Sequence, residues 1–378
     1  MSYLSPQLPV DESFRHLRSF SELSLADVDA IRLLLRGDSI IDWRRLNFET
    51  HAEIDNFLRV NQFEPDSPID QSRFRYLHQE AVQYLRNHFN FRFPPQLIDP
   101  PDIQTLFLHA SYRERKFNRF QLLSCAILKV MSIIHHIEGR SLLFRTPIAD
   151  YDLYGLVQER IDAFFEGAQR DSIPVVHIYG SRKSRDSMIT KLLSKRDTIA
   201  ATIFDKLRYR IIVERHEDLL GVLAYMVHTL LPFNFCIPGE SSNNLVSIEE
   251  LIARESGLRE RFDGPTSNYH QWGAAKTSRE TPQNIFSGST YRVINFIVDL
   301  PVRLDKFLSQ ADILRFGRIA FVMVEFQVVD QQTEDENEEG ENSHEMYKKR
   351  QRAKVLERLR KGTLVKKRKG HAPEGGDR

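Results

Sequence analysis

The chain has 378 residues, of which 41% are hydrophobic and 28% are charged, and its formal net charge is +1. This composition is typical of a soluble globular protein with room for about two or three domains. Two cysteines are too few for a disulfide framework or a cysteine zinc site, and they favour the reducing cytoplasm. The sequence predicts neither a membrane-spanning stretch nor a signal peptide, so we expect a cytoplasmic protein.

Residues 1–150 are predicted to form a helical N-terminal lobe. Thr50 with Glu53 resembles a capping box in front of apolar residues at helical spacing. Prolines between 94 and 101 separate the long helical stretches. A proline and polar break at 146–152 marks the predicted domain boundary.

Residues 151–330 are predicted to form a second domain, because strand and helix patterns alternate there. Runs of apolar and β-branched residues predict strands, and amphipathic segments between them predict helices. This alternation predicts an α+β fold with a mixed sheet flanked by helices. The predicted strands cover 173–179, 203–213, 289–301 and 317–329.

The C-terminal residues separate into two blocks of opposite charge. Residues 331–343 read as an acidic flexible linker, and 344–378 read as a basic helix with a disordered end. The basic block is either a solvated tail or a contact to the phosphates of RNA. The pattern leaves both interpretations open.

A basic segment follows the first predicted strand of the second domain. A glycine turn at Gly180 leads into a helix that carries Arg182, Lys183 and Lys191, with Ser187 between the lysines on one helical face. Basic side chains at a helix N-terminus suit an anion such as phosphate. A solvated basic face has the same pattern.

Two acids interrupt predicted buried strands. Asp205 lies in the strand 203–213 and Glu325 near the end of the last strand, where Gln327 shares its face. A buried acid needs a cationic partner, either an arginine or a metal. Two converging carboxylates suit Mg²⁺, which takes one or two carboxylates plus substrate phosphates. The structural alternative is a cross-strand ion pair.

Together these motifs resemble the synthetase domain of the RelA/SpoT family of nucleotide pyrophosphokinases over about residues 150–350. Gly180, Lys183, Ser187 and Lys191 are similar to its first motif, and Asp205 with Arg210 to its metal strand. Further similarities are Tyr291 with Val298, Glu325 with Gln327, His228, and the segment at 344–349. The departures are Ser181, Arg208, Val293, Asn295 and Val329, which replace residues that the family motifs hold.

The resemblance implies a nucleotidyltransferase-like domain that transfers pyrophosphate from ATP to the ribose 3′-hydroxyl of a nucleotide. Asp205 and Glu325 would hold Mg²⁺, and Glu325, assisted by Gln327, would help to deprotonate the hydroxyl. Tyr291 would stack on the acceptor base, with Asn295 beside it. The expected ATP phosphate ligands are Arg182, Lys183, Ser187, Lys191 and Arg210. Two alternatives stay open: a non-catalytic nucleotide- or RNA-binding module, and a different nucleotidyltransferase.

Overall fold

A computed structural model describes residues 23, 25–36, 46, 48–111, 118–194, 206–247, 290–339 and 344–367 of the chain. Within these ranges the fold is α+β, with helices flanking a mixed five-stranded sheet, as the sequence predicts. Asp205 lies outside the described residues.

Seven helices precede the first strand within the described residues. Thr50 caps one of them as predicted, since its Oγ1 accepts a hydrogen bond from the Glu53 N–H at 3.2 Å. The helices are α1 (Leu25–Arg36), α2 (His51–Val60), α3 (Pro68–Phe89), α4 (Pro95–Ile98), α5 (Ile103–Ala110), α6 (Arg119–Arg145) and α7 (Asp150–Arg170).

Helix α6 is long and apolar enough to cross a membrane by length and composition, alone among the helices in the described ranges. The expectation that no stretch meets this criterion was therefore wrong. Core helices of soluble proteins meet it as well, and α6 packs closely against the sheet at Gly139. A Cβ at Gly139 would lie 2.6 Å from the Phe321 ring and 2.8 Å from the Ile319 carbonyl oxygen, so glycine permits this contact.

The sheet has the strand order β1-β2-β5-β4-β3. Strands β2 and β5 are parallel, and the other neighbouring pairs are antiparallel. The predicted strands thus become one mixed sheet, with the strands that were expected to carry the two acids side by side. The strands are β1 (Val175–Arg182), β2 (Leu207–Val213), β3 (Ser242–Asn243), β4 (Ile294–Arg303) and β5 (Ile319–Asp330).

One face of the sheet forms the larger hydrophobic core. Rings of Tyr209, Phe326 and Phe296 follow one another across neighbouring strands on this face. Gly180 lies inside β1, opposite Tyr209, and a Cβ there would lie 2.9 Å from the tyrosine ring. The predicted glycine turn is therefore wrong: glycine is needed here because an aromatic ring closes over the strand.

Five more helices complete the described fold. The acidic run that was predicted to be flexible contains the helix α11, which begins directly after β5. The basic helix α12 packs against α8 through hydrogen bonds from Arg358 to the Leu193 carbonyl and from Gln351 to Ser194. The helices are α8 (Arg185–Ser194), α9 (Leu219–Thr229), α10 (Gln310–Phe316), α11 (Gln331–Glu338) and α12 (His344–Lys367).

Arg160 of α7 connects the sheet to the surrounding helices. Its guanidinium donates to the carbonyls of Pro301 at 2.5 Å, Val60 at 3.2 Å and Leu230. Burial lowers the pKa of Arg160 to about 9, so the group stays charged at neutral pH. These acceptors are backbone groups that would otherwise be buried without partners, and Arg160 therefore joins β4, α2 and the end of α9.

Candidate functional site

The second sheet face carries polar side chains in the first half of β2 and the second half of β5. The register of β2 and β5 pairs Arg208 with Glu325 and Arg210 with Gln327. The register of β4 and β5 pairs Asn295 with Gln327. Partners in register point to the same side of a sheet, so these side chains converge. We call this set, together with Tyr291, the polar sheet face.

Arg208 and Glu325 form an ion pair on this face. Arg208 Nε donates to Glu325 Oε2 at 2.8 Å, and Gln327 Nε2 donates to Glu325 Oε1 at 3.3 Å. The glutamate side chain is 8% exposed, whereas the arginine side chain is 32% exposed. The acid that the sequence assigns to a metal is thus already neutralised by a cation from the neighbouring strand.

Arg210 is the most connected residue of the polar sheet face. Its guanidinium donates to Gln327 Oε1 at 3.0 Å, to the Tyr291 hydroxyl at 3.1 Å and to Glu334 at 2.8 Å. Burial would lower the pKa of Arg210, but Tyr291 and Glu334 outweigh it, so the pKa lies above its usual value. Arg210 is therefore a permanent cation held among several acceptors.

The two predicted acceptor-binding residues lie on the same face. Burial raises the pKa of Tyr291, and the Arg210 guanidinium opposes that shift. Asn295 accepts from Gln327 Nε2 at 3.4 Å. Tyr291 precedes β4 rather than lying within it, since the strand begins at Ile294. Its hydroxyl accepts a hydrogen bond from Arg210. Stacking of its ring on a base stays a prediction.

The predicted phosphate ligands of β1 and α8 do not form one group: Arg182 lies in β1, and Ser187 and Lys191 lie in α8. Arg182 is paired with Leu207, so its side chain lies on the core side of the sheet, where it stacks over the Tyr154 ring at 4.5 Å. Ser187 lies in the first turn of α8 and its hydroxyl accepts from Ser184 Oγ at 2.9 Å. Lys191 follows one turn later on the same helix.

Lys183 connects this segment to β2. It directly follows β1, and its N–H donates to the Lys206 carbonyl at 3.0 Å, which extends the pairing of the two strands. Of the predicted phosphate ligands, Arg210 belongs to the polar sheet face, whereas Arg182 points away from it.

The described residues of this face do not fit a Mg²⁺ site. A guanidinium at 2.8 Å competes with a metal for the Glu325 carboxylate. No cluster of metal-ligating side chains occurs among the residues that the structure describes, and Asp205, the predicted second ligand, is outside them. Guanidinium and amide donors favour an anion over a cation at this place.

Sequence reasoning missed two residues of the site. Tyr179 of the edge strand β1 is paired with Arg210, and this tyrosine is 55% exposed. Strand alternation could have indicated its face, but not its register with β2. Glu334 belongs to the acidic run, and nothing in that run indicated that it contacts Arg210.

Comparison with known proteins gives matches among solved structures. No family model and no curated protein matches the sequence. Among solved structures, the chain is similar to small alarmone synthetase 2 from Bacillus subtilis, with 16% identity, a TM-score of 0.28, and coverage of 58% of this chain and 96% of that chain. TM-scores this low do not establish a common fold.

Two solved structures of small alarmone synthetase 1 from the same organism are also similar to the chain. Bound to its product pppGpp it is 13% identical, with a TM-score of 0.27 and coverage of 56% of this chain and 92% of that chain. The second structure of that enzyme is also 13% identical, with a TM-score of 0.26 and coverage of 58% and 96%.

Proposed function

We propose that the polar sheet face binds the phosphate groups of a nucleotide. The observation that carries this proposal is the pair Arg208 and Arg210, which lie two residues apart on one face of β2. Arginine donates two parallel hydrogen bonds to phosphate oxygens, and it is more weakly hydrated than lysine. Tyr179 offers an exposed ring beside Arg210 on which a base can stack.

Calorimetry tests this proposal directly. ATP and GTP are titrated in EDTA into the wild-type protein and into Arg210→Ala and Arg75→Ala, where Arg75 is an exposed arginine of α3. We expect binding in the absence of metal, weakened about 10- to 100-fold by Arg210→Ala because a charge-assisted hydrogen bond is lost. The control should bind like the wild type. Equal affinities for all three proteins would contradict the proposal.

The second candidate is enzymatic, namely the transfer of pyrophosphate from ATP to the 3′-hydroxyl of GDP, GTP or another acceptor. The observation that favours it is the parallel pairing of β2 with β5, which puts the strand that follows Asp205 beside Glu325. By the resemblance to the pyrophosphokinases, Asp205 and Glu325 would hold Mg²⁺ in this reaction, and Arg208 would then have to leave the glutamate. A phosphate of the substrate is a suitable alternative partner for that arginine.

Labelled ATP separates the two candidates. The enzymatic candidate predicts a pyrophosphorylated nucleotide that forms only with Mg²⁺ and disappears in Asp205→Ala and Glu325→Gln. The binding candidate predicts nucleotide binding without any product in the same reactions. A labelled nucleotidyl group on protein or RNA, identified by mass, would instead indicate a different nucleotidyltransferase.

An RNA contact through the basic C-terminal residues is a separate prediction. The helix α12 carries basic residues and packs beside α8. Removal of residues 346–378 should weaken RNA binding and reduce its salt dependence, while nucleotide binding at Arg210 is retained. RNA binding that survives the truncation would exclude this contact.

A further inference from the structure

The acidic helix α11 reaches back over the polar sheet face. It begins at the end of β5, where the carboxylate of Asp330 accepts from the Thr333 N–H at 2.8 Å and so caps the helix. One turn later both carboxylate oxygens of Glu334 accept hydrogen bonds from Arg210 Nη1, at 2.8 and 3.0 Å. Glu338, four residues further and on the same helix face, lies 3.4 Å from the same nitrogen.

These glutamates supply the negative charge at Arg210. Its other hydrogen-bond partners among the described residues, Gln327 and Tyr291, are neutral side chains. A carboxylate on a guanidinium makes the same charge-assisted hydrogen bonds that a phosphate makes. Glu334 therefore stands where a phosphate group of a nucleotide would have to bind if Arg210 is its ligand.

The contacts that hold α11 in place within the described part of the chain are polar. Four of its eight residues are acidic, and its buried residues are Thr333 and Asn337 rather than apolar side chains. Besides the Asp330 cap, Asn337 exchanges hydrogen bonds with the backbone of Arg292 at 3.0 and 2.7 Å. A helix without buried apolar surface detaches locally at low free-energy cost, because little hydrophobic burial is lost.

We infer that Arg210 is an exchangeable anion subsite, occupied by Glu334 in the free protein and by a phosphate group when a nucleotide binds. Helix α11 is then an autoinhibitory contact that binding displaces. This inference rests on the proposed function, since it requires the polar sheet face to bind phosphate groups. It explains why an acidic helix follows directly on the strand that carries Glu325 and Gln327.

A matched pair of variants in α11 tests the exchange. Inorganic tripolyphosphate and ATP are titrated in EDTA into the wild type, Glu334→Gln and Glu336→Gln. Glu336 carries the same charge on the same helix, but it pairs with Arg292 at 2.6 Å instead of Arg210. We expect Glu334→Gln to tighten binding about tenfold, whereas Glu336→Gln changes it by less than about twofold. Equal changes in both variants would show a general charge effect and overturn the exchange.

Two further results separate this inference from the proposed function. If the wild type binds tripolyphosphate through Arg210 but Glu334→Gln binds no more tightly, the exchange is wrong and the proposed function stands. If Arg210→Ala has no effect, or no protein binds, both are wrong.

Hydrogen exchange measures the displacement itself. Amides of residues 331–338 should lose protection in the wild type when tripolyphosphate is added, while those of α6 keep theirs. Unchanged protection of α11 at saturating tripolyphosphate would exclude displacement.

Discussion

The two ends of strand β5 use arginine in opposite ways. At its start, Arg318 is 7% exposed and donates to the carboxylate of Asp70 through Nε at 3.0 Å and Nη2 at 2.5 Å. In its second half, Glu325 and Gln327 face Arg208 and Arg210, whose side chains are 32% and 19% exposed. The ion pair of Arg318 and Asp70 is buried and joins α3 to the sheet. Arg208 and Arg210 are instead partly exposed to solvent.

The difference in burial decides whether an arginine can exchange its carboxylate partner for water or for another anion. A buried ion pair that loses one member leaves a charge without solvent or partner, so its geometry is fixed. A partly exposed arginine can replace a carboxylate by water or by an anion at little cost. We therefore expect substitutions at the start of β5 to lower stability and substitutions on the polar sheet face to change binding.

The largest effect is expected for Arg160→Met. Methionine leaves the carbonyls of Val60, Leu230 and Pro301 without donors, and a buried acceptor without a partner costs about 1–3 kcal/mol. The free energy of unfolding should fall by about 3–9 kcal/mol in urea titrations followed by circular dichroism. The exposed Arg75→Met should cost no more than about 0.5 kcal/mol. A similar cost for both would mean that the carbonyls find other donors.

Asp70→Asn should have the next largest effect. The substitution preserves shape but removes the carboxylate that accepts two hydrogen bonds from the buried Arg318 guanidinium, which keeps Asp305 at 3.0 Å as its remaining carboxylate. The loss of charge-assisted hydrogen bonds should cost about 1.5–3 kcal/mol. Thermal and urea unfolding measure the loss, with the exposed Asp66→Asn of the preceding turn as control. The double variant Asp70→Asn, Arg318→Met should cost less than the sum of the two single variants, because both single variants remove the same contact between the two side chains.

Strand alternation predicted much of the site from local sequence. Side chains alternate with a period of two, so Glu325 and Gln327 were expected on one face of β5, and the same rule puts Arg208 and Arg210 on one face of β2. It could not give the register between β1 and β2, which turns Arg182 to the core side. Register depends on pairing between segments far apart in sequence, and no residue of either strand specifies it alone.

The helix α11 and its contact to Arg210 could not be predicted from the sequence for a different reason. Its sequence has no apolar stripe, and a segment of low hydrophobicity is expected to be flexible. Its contact to Arg210 spans 124 residues and consists of charge pairing, which leaves no periodic signal. The resemblance to a pyrophosphokinase likewise suggested a metal for Glu325, whereas the structure pairs it with Arg208.

Asp330→Ala should have a smaller and pH-dependent effect. Burial would raise the pKa of Asp330, but hydrogen bonds from Thr333 and His216 outweigh it, so the pKa lies below its usual value. A depressed folded-state pKa contributes stability that is complete above the unfolded pKa of about 3.9 and is lost as pH falls through the folded value.

The wild type should therefore exceed Asp330→Ala by about 0.5–2 kcal/mol at neutral pH, the usual cost of a lost helix cap. This gap should narrow below about pH 4 as Asp330 takes up a proton. Urea titrations from neutral to acidic pH measure it, and Asp335→Ala on the exposed side of α11 should show no such narrowing. A gap that stays constant with pH would assign the effect to packing instead.

Glu325→Gln should have the smallest effect on stability, although it is chemically the same change as Asp70→Asn. Glutamine keeps an oxygen that can accept from Arg208 Nε, and the arginine, about a third exposed, is screened by water. We expect a loss of no more than about 1 kcal/mol. Binding of tripolyphosphate should instead tighten, because the polar sheet face gains net positive charge. A loss as large as that of Asp70→Asn would mean that Arg208 and Glu325 form a structural pair like the one at the start of β5, and that this arginine is not available to a phosphate.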